Sequence, residues 1–155
     1  MYRRTWLVAV CLGTLVIGCV GTGPDVTADS ALAQMRARES THHDACSAAT
    51  SLSDERDETG EYVSDMDTLA DDMIAACGTM MRAGTATQDD VDNVDDVRAR
   101  MRTEIERHQT SVDAMDAVSS MHTECDTHHA AMLDLLDETS ARLPPRTRMM
   151  DDPMM

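Results

Sequence analysis

Hydrophobic residues recur at helical spacing along most of the chain. The clearest run lies between residues 61 and 82, where the steps between apolar positions are 4, 3, 4, 4 and 3 residues: Tyr62, Met66, Leu69, Met73, Cys77 and Met80. This spacing places one apolar seam along a helix. The sequence lacks the alternating apolar and polar runs, bounded by turn residues, that indicate strands. The pattern therefore predicts an all-α fold.

The segment from Gln88 to Leu143 contains neither Gly nor Pro and carries two more apolar stripes. The first stripe consists of Val94, Val97, Met101, Ile105 and His108. The second stripe, in similar phase, consists of Met115, Val118, His122, Cys125, His129, Met132 and Leu136. Because a single helix of this length would extend about 80 Å, we expect a break. Hydroxyl side chains that can cap a helix place the break near Thr110-Ser111 or near Ser119-Ser120.

The first predicted helix has the least regular apolar stripe. Asp29 or Ser30 can cap its start, and we expect it to run to about Glu58, before Gly60. Thr87 is the expected cap of the third helix.

Four helices joined by short loops predict an antiparallel up-down four-helix bundle over residues 30–143. A dimer of long helical hairpins is the alternative. Pro144 ends the last helix, and residues 144–155 are expected to form a disordered tail. The chain has no Phe, and Tyr62 is the only aromatic residue after Trp6, so the core must be built from Met, Val, Leu, Ile and Ala.

The first 19 residues have a different pattern. Arg3 and Arg4 precede an apolar run that begins at Trp6, and a small residue, Gly18, precedes Cys19. A basic start, a short apolar run and a small residue are typical of a secretory signal. The run is shorter than the about 20 apolar residues that a membrane-spanning helix needs.

The tetrapeptide Val16-Ile17-Gly18-Cys19 resembles the lipobox of bacterial lipoproteins. The resemblance implies that residues 1–18 are a signal peptide removed on export, and that Cys19 carries acyl chains such as palmitate. Several acyl chains hold a protein stably in a bilayer, whereas one chain binds weakly. Residues 19–29, rich in Gly and Thr, then form a flexible tether. An ordinary signal peptide with an incidental Cys19, or an uncleaved anchor, is the alternative.

The same resemblance bears on location. It implies a protein anchored in the cell envelope, and Val20 after the cysteine, in place of the Asp that retains lipoproteins at the inner membrane, favours the outer membrane, facing the periplasm, in a Gram-negative cell.

Acidic residues dominate the charge. All 29 Asp and Glu lie after Cys19, as do 11 of the 13 basic residues, all of them Arg, so the chain from Cys19 onward has a formal charge of −18. A field of this sign repels nucleic acid and anionic lipid headgroups. Nucleic acid is therefore excluded as a partner, and the charge favours cations, basic partners or simple solubility.

Two His-x-x-Cys units, one in the first helix and one in the last, carry the candidate chemistry. Residues three positions apart share one helical face. Cys46 and Cys125 lie at similar depth on antiparallel neighbours, so we expect them to meet, with histidines beside them. His128 is expected to point away from this group. The candidate residues are His42, His43, Cys46, His122, Cys125 and His129.

Four interpretations of these residues remain open. The cysteines can form a disulfide that closes a loop of about 80 residues and contributes about 4 kcal/mol. Thiolate, imidazole and thioether groups can instead bind copper or zinc. The residues can also be ordinary buried side chains. A carboxylate-bridged di-metal site is the fourth: Glu39 and His42 match one Glu-x-x-His unit, whereas Glu104 lies four residues before His108.

No enzyme motif occurs in the sequence: there is no phosphate-binding Gly-rich loop and no nucleophile elbow. We therefore predict a non-enzymatic, membrane-anchored lipoprotein with a structural role or a role in contacting an unidentified protein partner. The alternative is an envelope protein that binds copper or zinc through His, Cys and Met of its core. No other cofactor is expected.

Overall fold

The computed structural model describes residues 27–144, in which four helices and no strand occur. The helices are α1 (Ala28–Ala48), α2 (Leu52–Arg82), α3 (Gln88–Ala114) and α4 (Val118–Arg142). Each helix packs mainly on its two neighbours in the ring order α1, α2, α3, α4. The predicted all-α class is confirmed, and the arrangement is that of a four-helix bundle.

Several sequence predictions fall outside the described residues. These are the signal peptide at residues 1–18, the lipidated Cys19, the tether up to residue 26 and the tail from residue 145. Between residues 27 and 144, no helix combines the length and the apolar character that a bilayer crossing requires.

Ion pairs between neighbouring helices show that α1 and α4 are antiparallel. Arg36 of α1 pairs with Asp137 of α4, and His43, two turns later on α1, lies 3.1 Å from Asp126. Residue numbers therefore increase along α1 in the direction in which they decrease along α4. Cys46 and Cys125 lie at matching depths for the same reason.

The helices α1 and α3 begin with reciprocal caps. The Thr27 hydroxyl accepts the backbone N–H of Ser30, and the Ser30 hydroxyl accepts the N–H of Thr27. The predicted cap at Asp29 or Ser30 was therefore wrong by two or three residues. Thr87 caps α3 as predicted, by accepting the N–H of Asp90.

The boundary between α1 and α2 differs from the prediction. The helix α1 ends at Ala48 instead of near Glu58, and α2 begins at Leu52. The Ser51 hydroxyl accepts the N–H of Asp54, and this cap starts α2 well before Gly60. Gly60 lies inside α2, because a helical glycine costs only about 1 kcal/mol relative to alanine.

The break between α3 and α4 lies at residues 115–117, between the two predicted positions. Ala117 caps α4 without any side-chain hydrogen bond, so neither predicted hydroxyl pair makes the break. The Arg56 guanidinium of α2 donates to the carbonyl oxygens of Asp113 and Met115 at 3.2 and 2.9 Å. These bonds satisfy carbonyl groups that the end of α3 leaves unpaired.

The buried apolar side chains form two clusters. The larger cluster fills the end that holds the start of α1 and the end of α4, and it includes Met35, Met66, Met73, Met101 and Met132. The smaller cluster surrounds Cys46, Met121 and Cys125 at the opposite end. The predicted stripes on α2 and α3 are buried, apart from the half-buried Met80. Cys77, the remaining thiol among the described residues, is buried in the larger cluster.

Candidate metal centre

A layer of polar side chains crosses the bundle between the two apolar clusters, and we call it the polar layer. Each helix supplies one carboxylate and one ring, three or four positions apart, which places both on one helical face. The four rings are at most 1% exposed. The members of the polar layer are Glu39 and His42 on α1, Glu58 and Tyr62 on α2, Glu104 and His108 on α3, and Glu124 and His128 on α4.

Three imidazoles from three helices converge in this layer. One ring nitrogen each of His42, His108 and His128 lies within 4.8 Å of the other two. His42 Nε2 is 3.2 Å from His108 Nε2. The rings of His108 and His128 stack with centroids 4.0 Å apart, and the ring of His42 stands nearly perpendicular to both. The three side chains can therefore hold one ion between them.

The outer nitrogen of each imidazole bonds a glutamate on a neighbouring helix. His42 Nδ1 lies 3.4 Å from Glu58, His108 Nδ1 lies 3.3 Å from Glu124, and His128 Nδ1 lies 3.1 Å from Glu104: each histidine therefore has its own carboxylate. A carboxylate only accepts, so each Nδ1 carries the proton and each Nε2 keeps a lone pair. This is the arrangement that orients metal-ligating histidines in proteins.

Two arginines hold the carboxylates in place. Arg38 donates to Glu58 at 2.7 Å, and Arg107 binds both Glu104 at 2.6 Å and Glu124 at 2.8 Å. Burial raises the pKa of Glu104, but its bonds to Arg107 and His128 outweigh that effect and leave the pKa below its usual value. The carboxylate therefore remains an acceptor for the imidazole.

Burial keeps the three imidazoles neutral. It lowers the pKa of His42 to about 2 and that of His128 to about 4, with the neighbouring imidazoles adding to the effect. The pKa of His108 is also lowered, again through burial. Near neutral pH the three converging imidazoles are therefore uncharged, and each keeps a nitrogen lone pair.

Tyr62 is the ring that α2 contributes, and it connects the polar layer to the surface. Its hydroxyl lies 3.2 Å from His128 Nε2 and donates to Glu39 Oε2 at 2.5 Å. The other oxygen of Glu39 accepts from His129 Nδ1 at 2.9 Å, and His129 is partly exposed and stacks on His43. Burial raises the pKa of Glu39, although the bonds from Tyr62 and His129 oppose that shift.

The smaller apolar cluster contains the disulfide that was one of the predicted alternatives. The structure joins Cys46 to Cys125, with Cα atoms 6.3 Å apart, so the predicted approach is confirmed. Glu55 of α2 lies against this bond, with Oε1 3.9 Å from Cys125 Sγ and 3.2 Å from the donating hydroxyl of Thr59. Its Oε2 is buried without a hydrogen-bond partner, and burial raises the pKa of Glu55 to about 7.

The structure separates the six residues predicted as a metal or disulfide group. Of the four histidines, His42 alone belongs to the converging trio. His43 lies beside Asp126, and His122 Nε2 lies 3.1 Å from the carbonyl oxygen of Ala49. His129 bonds Glu39 instead of joining the trio.

The predicted stripe of the last helix is confirmed at Cys125, Met132 and Leu136, but it was wrong by one residue at its histidines. The buried face of α4 consists of Met121, Cys125, His128, Met132, Leu136 and Thr139. His128, which was expected to point away, therefore faces the core, while His122 and His129 lie at its edges. Glu39, the residue behind the di-metal interpretation, is bonded to Tyr62 and His129.

Sequence reasoning missed His108 and His128 as site residues, together with the glutamates that orient them. A usable pattern was present. Glu-x-x-x-His occurs three times, from Glu39 to His43, from Glu104 to His108 and from Glu124 to His128, and Glu58-x-x-x-Tyr62 has the same spacing. In the structure Glu104 bonds His128 and Glu124 bonds His108, each across the contact between α3 and α4. This pairing cannot be read from the spacing and becomes visible only in the folded chain.

Comparisons with known proteins add no family to this description: no family model, no curated protein and no solved structure matches the chain.

Proposed function

We propose that this protein binds one divalent transition metal ion, zinc or copper, through His42, His108 and His128. The observation that carries the proposal is the convergence of three buried imidazoles: one ring nitrogen of each lies within 4.8 Å of the other two, and the Nδ1 partners are all carboxylates. Imidazole nitrogen is a preferred ligand of both metals.

The lone pairs of the trio favour a positive charge between them. The single Tyr62 proton goes to Glu39, and each Nδ1 proton goes to a glutamate, so no proton remains to share among the Nε2 atoms. In the tautomer with both protons on Nδ1, the Nε2 lone pairs of His42 and His108, 3.2 Å apart, repel each other. A cation between them removes the repulsion.

The spacing also fits a metal ion. A tetrahedral centre with metal–nitrogen bonds of about 2.0 Å separates its ligand nitrogens by about 3.3 Å. His42 Nε2 and His108 Nε2 are 3.2 Å apart. Tyr62 Oη lies 3.2 Å from His128 Nε2, so an oxygen atom also lies beside this ring nitrogen.

The sequence favoured a role in contacting a protein partner, and the surface offers little apolar area for such a contact. Among residues 27–144, Leu133 is the one large hydrophobic side chain that is exposed. The arranged histidines and glutamates lie inside the bundle. Because the ligands are completely buried, the centre suits holding a metal ion better than turning over a substrate.

Metal titration of the purified, metal-free full chain tests the proposal. We expect one equivalent of zinc or copper to bind, measured by isothermal titration calorimetry, and His108→Gln to weaken binding at least 100-fold. His43→Gln is the matched control, because His43 bonds Asp126 outside the trio. No binding to the folded chain, or equal loss in both variants, would contradict the metal function.

We also propose that the bundle is held at the cell envelope by acyl chains on Cys19, as the lipobox resemblance implies. Cys19→Ala should abolish both processing and membrane attachment. Detergent phase partitioning of the wild-type and variant chains measures this. A Cys19→Ala chain that is still processed and membrane-bound would remove the basis for the anchor.

A further inference from the structure

We infer that Cys46, Cys125 and Glu55 form a second metal site, for zinc or a similar divalent cation, when the disulfide is reduced. This inference does not depend on the histidine trio, because the two sites share no residue. The site lies at the end of the bundle that holds the α1–α2 and α3–α4 loops, and the redox state of the cysteines controls whether it can bind metal.

The three ligands are already together. The two sulfur atoms and one carboxylate oxygen of Glu55 lie within 4.8 Å of one another, and all three residues are at most 2% exposed. They come from α1, α4 and α2, so three helices fix their positions. Thiolate sulfur and carboxylate oxygen are both ligands that zinc takes in proteins.

A second, independent observation points to a ligand here. Glu55 Oε2 is buried and makes no hydrogen bond, although leaving a buried polar atom unpaired is destabilising. Thr59 supplies a hydrogen bond to the other oxygen only. A metal ion that binds both oxygens of this carboxylate would reach the cysteines from Oε1, which lies 3.9 Å from Cys125 Sγ, and would give Oε2 the partner it lacks.

The two sulfur atoms need to move only a short distance to change from a disulfide into two metal ligands. Two thiolates on one tetrahedral zinc ion are about 3.8 Å apart, since each zinc–sulfur bond is about 2.3 Å. With the Cα atoms 6.3 Å apart, the side chains can reach that separation by rotation. The helices need not move apart.

A thiol or dithiol reductant can open the Cys46–Cys125 disulfide. A dithiol transfers two electrons and two protons to the Cys46–Cys125 bond and becomes a disulfide itself. The two thiols formed then lose their protons as the metal ion binds both sulfurs. Reoxidation reverses the sequence and expels the metal, so the site holds its cation only under reducing conditions.

Cobalt titration under nitrogen tests this inference on the full chain. One sample is oxidised, and the other is reduced with a phosphine, which takes up an oxygen atom from water as the disulfide becomes two thiols. We expect the reduced chain to bind one more equivalent of Co²⁺ than the oxidised chain, with a thiolate-to-cobalt charge-transfer band. Hydrogen peroxide should expel that equivalent and remove the band.

Variants identify the side chains that bind the extra metal ion. Glu55→Gln should weaken the extra equivalent at least tenfold, whereas Cys77→Ser should leave it unchanged. Circular dichroism checks that the reduced chain stays folded, and Cys46→Ser/Cys125→Ser provides a chain without these thiols. A folded, reduced wild type without the charge-transfer band, or a Glu55→Gln chain with unchanged affinity, would overturn the inference. His108→Gln should retain the band, so failure of the first site is distinguishable.

Discussion

His108 Nδ1 lies 3.3 Å from Glu124 Oε1, across the contact between α3 and α4. Arg107, the residue before His108, binds the same carboxylate oxygen at 2.8 Å. The imidazole and the guanidinium thus share one acceptor, which fixes the direction of the His108 ring. The equivalent bond of His128 goes to Glu104, so α3 and α4 orient each other's histidine.

This relationship predicts the effect of removing one carboxylate. Glu124→Gln should lower metal affinity about 10–100-fold, because the hydrogen-bond partners of ligating histidines contribute that much. Glu106→Gln, an exposed neighbour on α3, is the control and should have no effect. Competition with a chelator of known affinity measures both. Equal affinities in the two variants would show that Glu124 does not orient the site.

The bond between Tyr62 and Glu39 predicts energetic coupling. Tyr62→Phe should destabilise the metal-free protein by about 1–3 kcal/mol, because it leaves a fully buried carboxylate without its hydroxyl donor. In a Glu39→Gln background the same substitution should cost less. A double-mutant cycle from urea unfolding measures the difference. Additive effects would show that the two side chains do not interact.

The disulfide predicts a large effect of reduction on stability. It joins residues separated by 79 positions, and the chain-entropy model assigns such a bond about 4 kcal/mol. Reductant should therefore lower the urea midpoint of the wild type and of Cys77→Ser, but not that of Cys46→Ser/Cys125→Ser. A midpoint that reductant leaves unchanged in the wild type would contradict a structural contribution of this bond.

Glu55 predicts a pH dependence of stability in the oxidised, metal-free protein. Its folded pKa is about 7, above the ordinary value of 4.5, so the folded state binds the proton more tightly. The contribution of Glu55 to the free energy of unfolding is therefore largest below about pH 4.5, and it is lost as the pH rises through 7.

Glu55→Gln isolates that contribution. It should raise the free energy of unfolding relative to the wild type by about 2 kcal/mol at pH 8, where the wild-type carboxylate is charged, and by much less at pH 5. Urea unfolding at the two pH values measures the difference. Glu61→Gln, exposed on the same helix, is the control. A constant difference between pH 5 and 8 would contradict the raised pKa.

Sequence patterning predicted the helices where strong apolar stripes exist. The seam from Tyr62 to Cys77 and the stripe from Val94 to His108 are buried as expected. The end of α1 was missed because Ser51 caps a helix that tolerates Gly60, and local propensity does not reveal which of two competing signals prevails. The α3–α4 break was missed because Arg56, distant in sequence, satisfies its carbonyl groups.

The candidate site was predictable only in part. Matching depth on antiparallel helices was enough to bring Cys46 and Cys125 together. The histidine trio was not found, because a phase error of one residue exchanges His128 for His129 on a helix that turns 100° per residue. The glutamate partners depend on contacts between helices, which single-chain periodicity does not encode.

The most direct test of the metal centre is a crystal structure of the metal-loaded protein with anomalous scattering recorded at the absorption edge of zinc or copper. We predict one strong anomalous peak in the polar layer, about 2.0–2.2 Å from the Nε2 atoms of His42, His108 and His128. The Nδ1 atoms should keep their bonds to Glu58, Glu124 and Glu104. Metal-loaded crystals with no peak between the three imidazoles would contradict metal binding by these histidines.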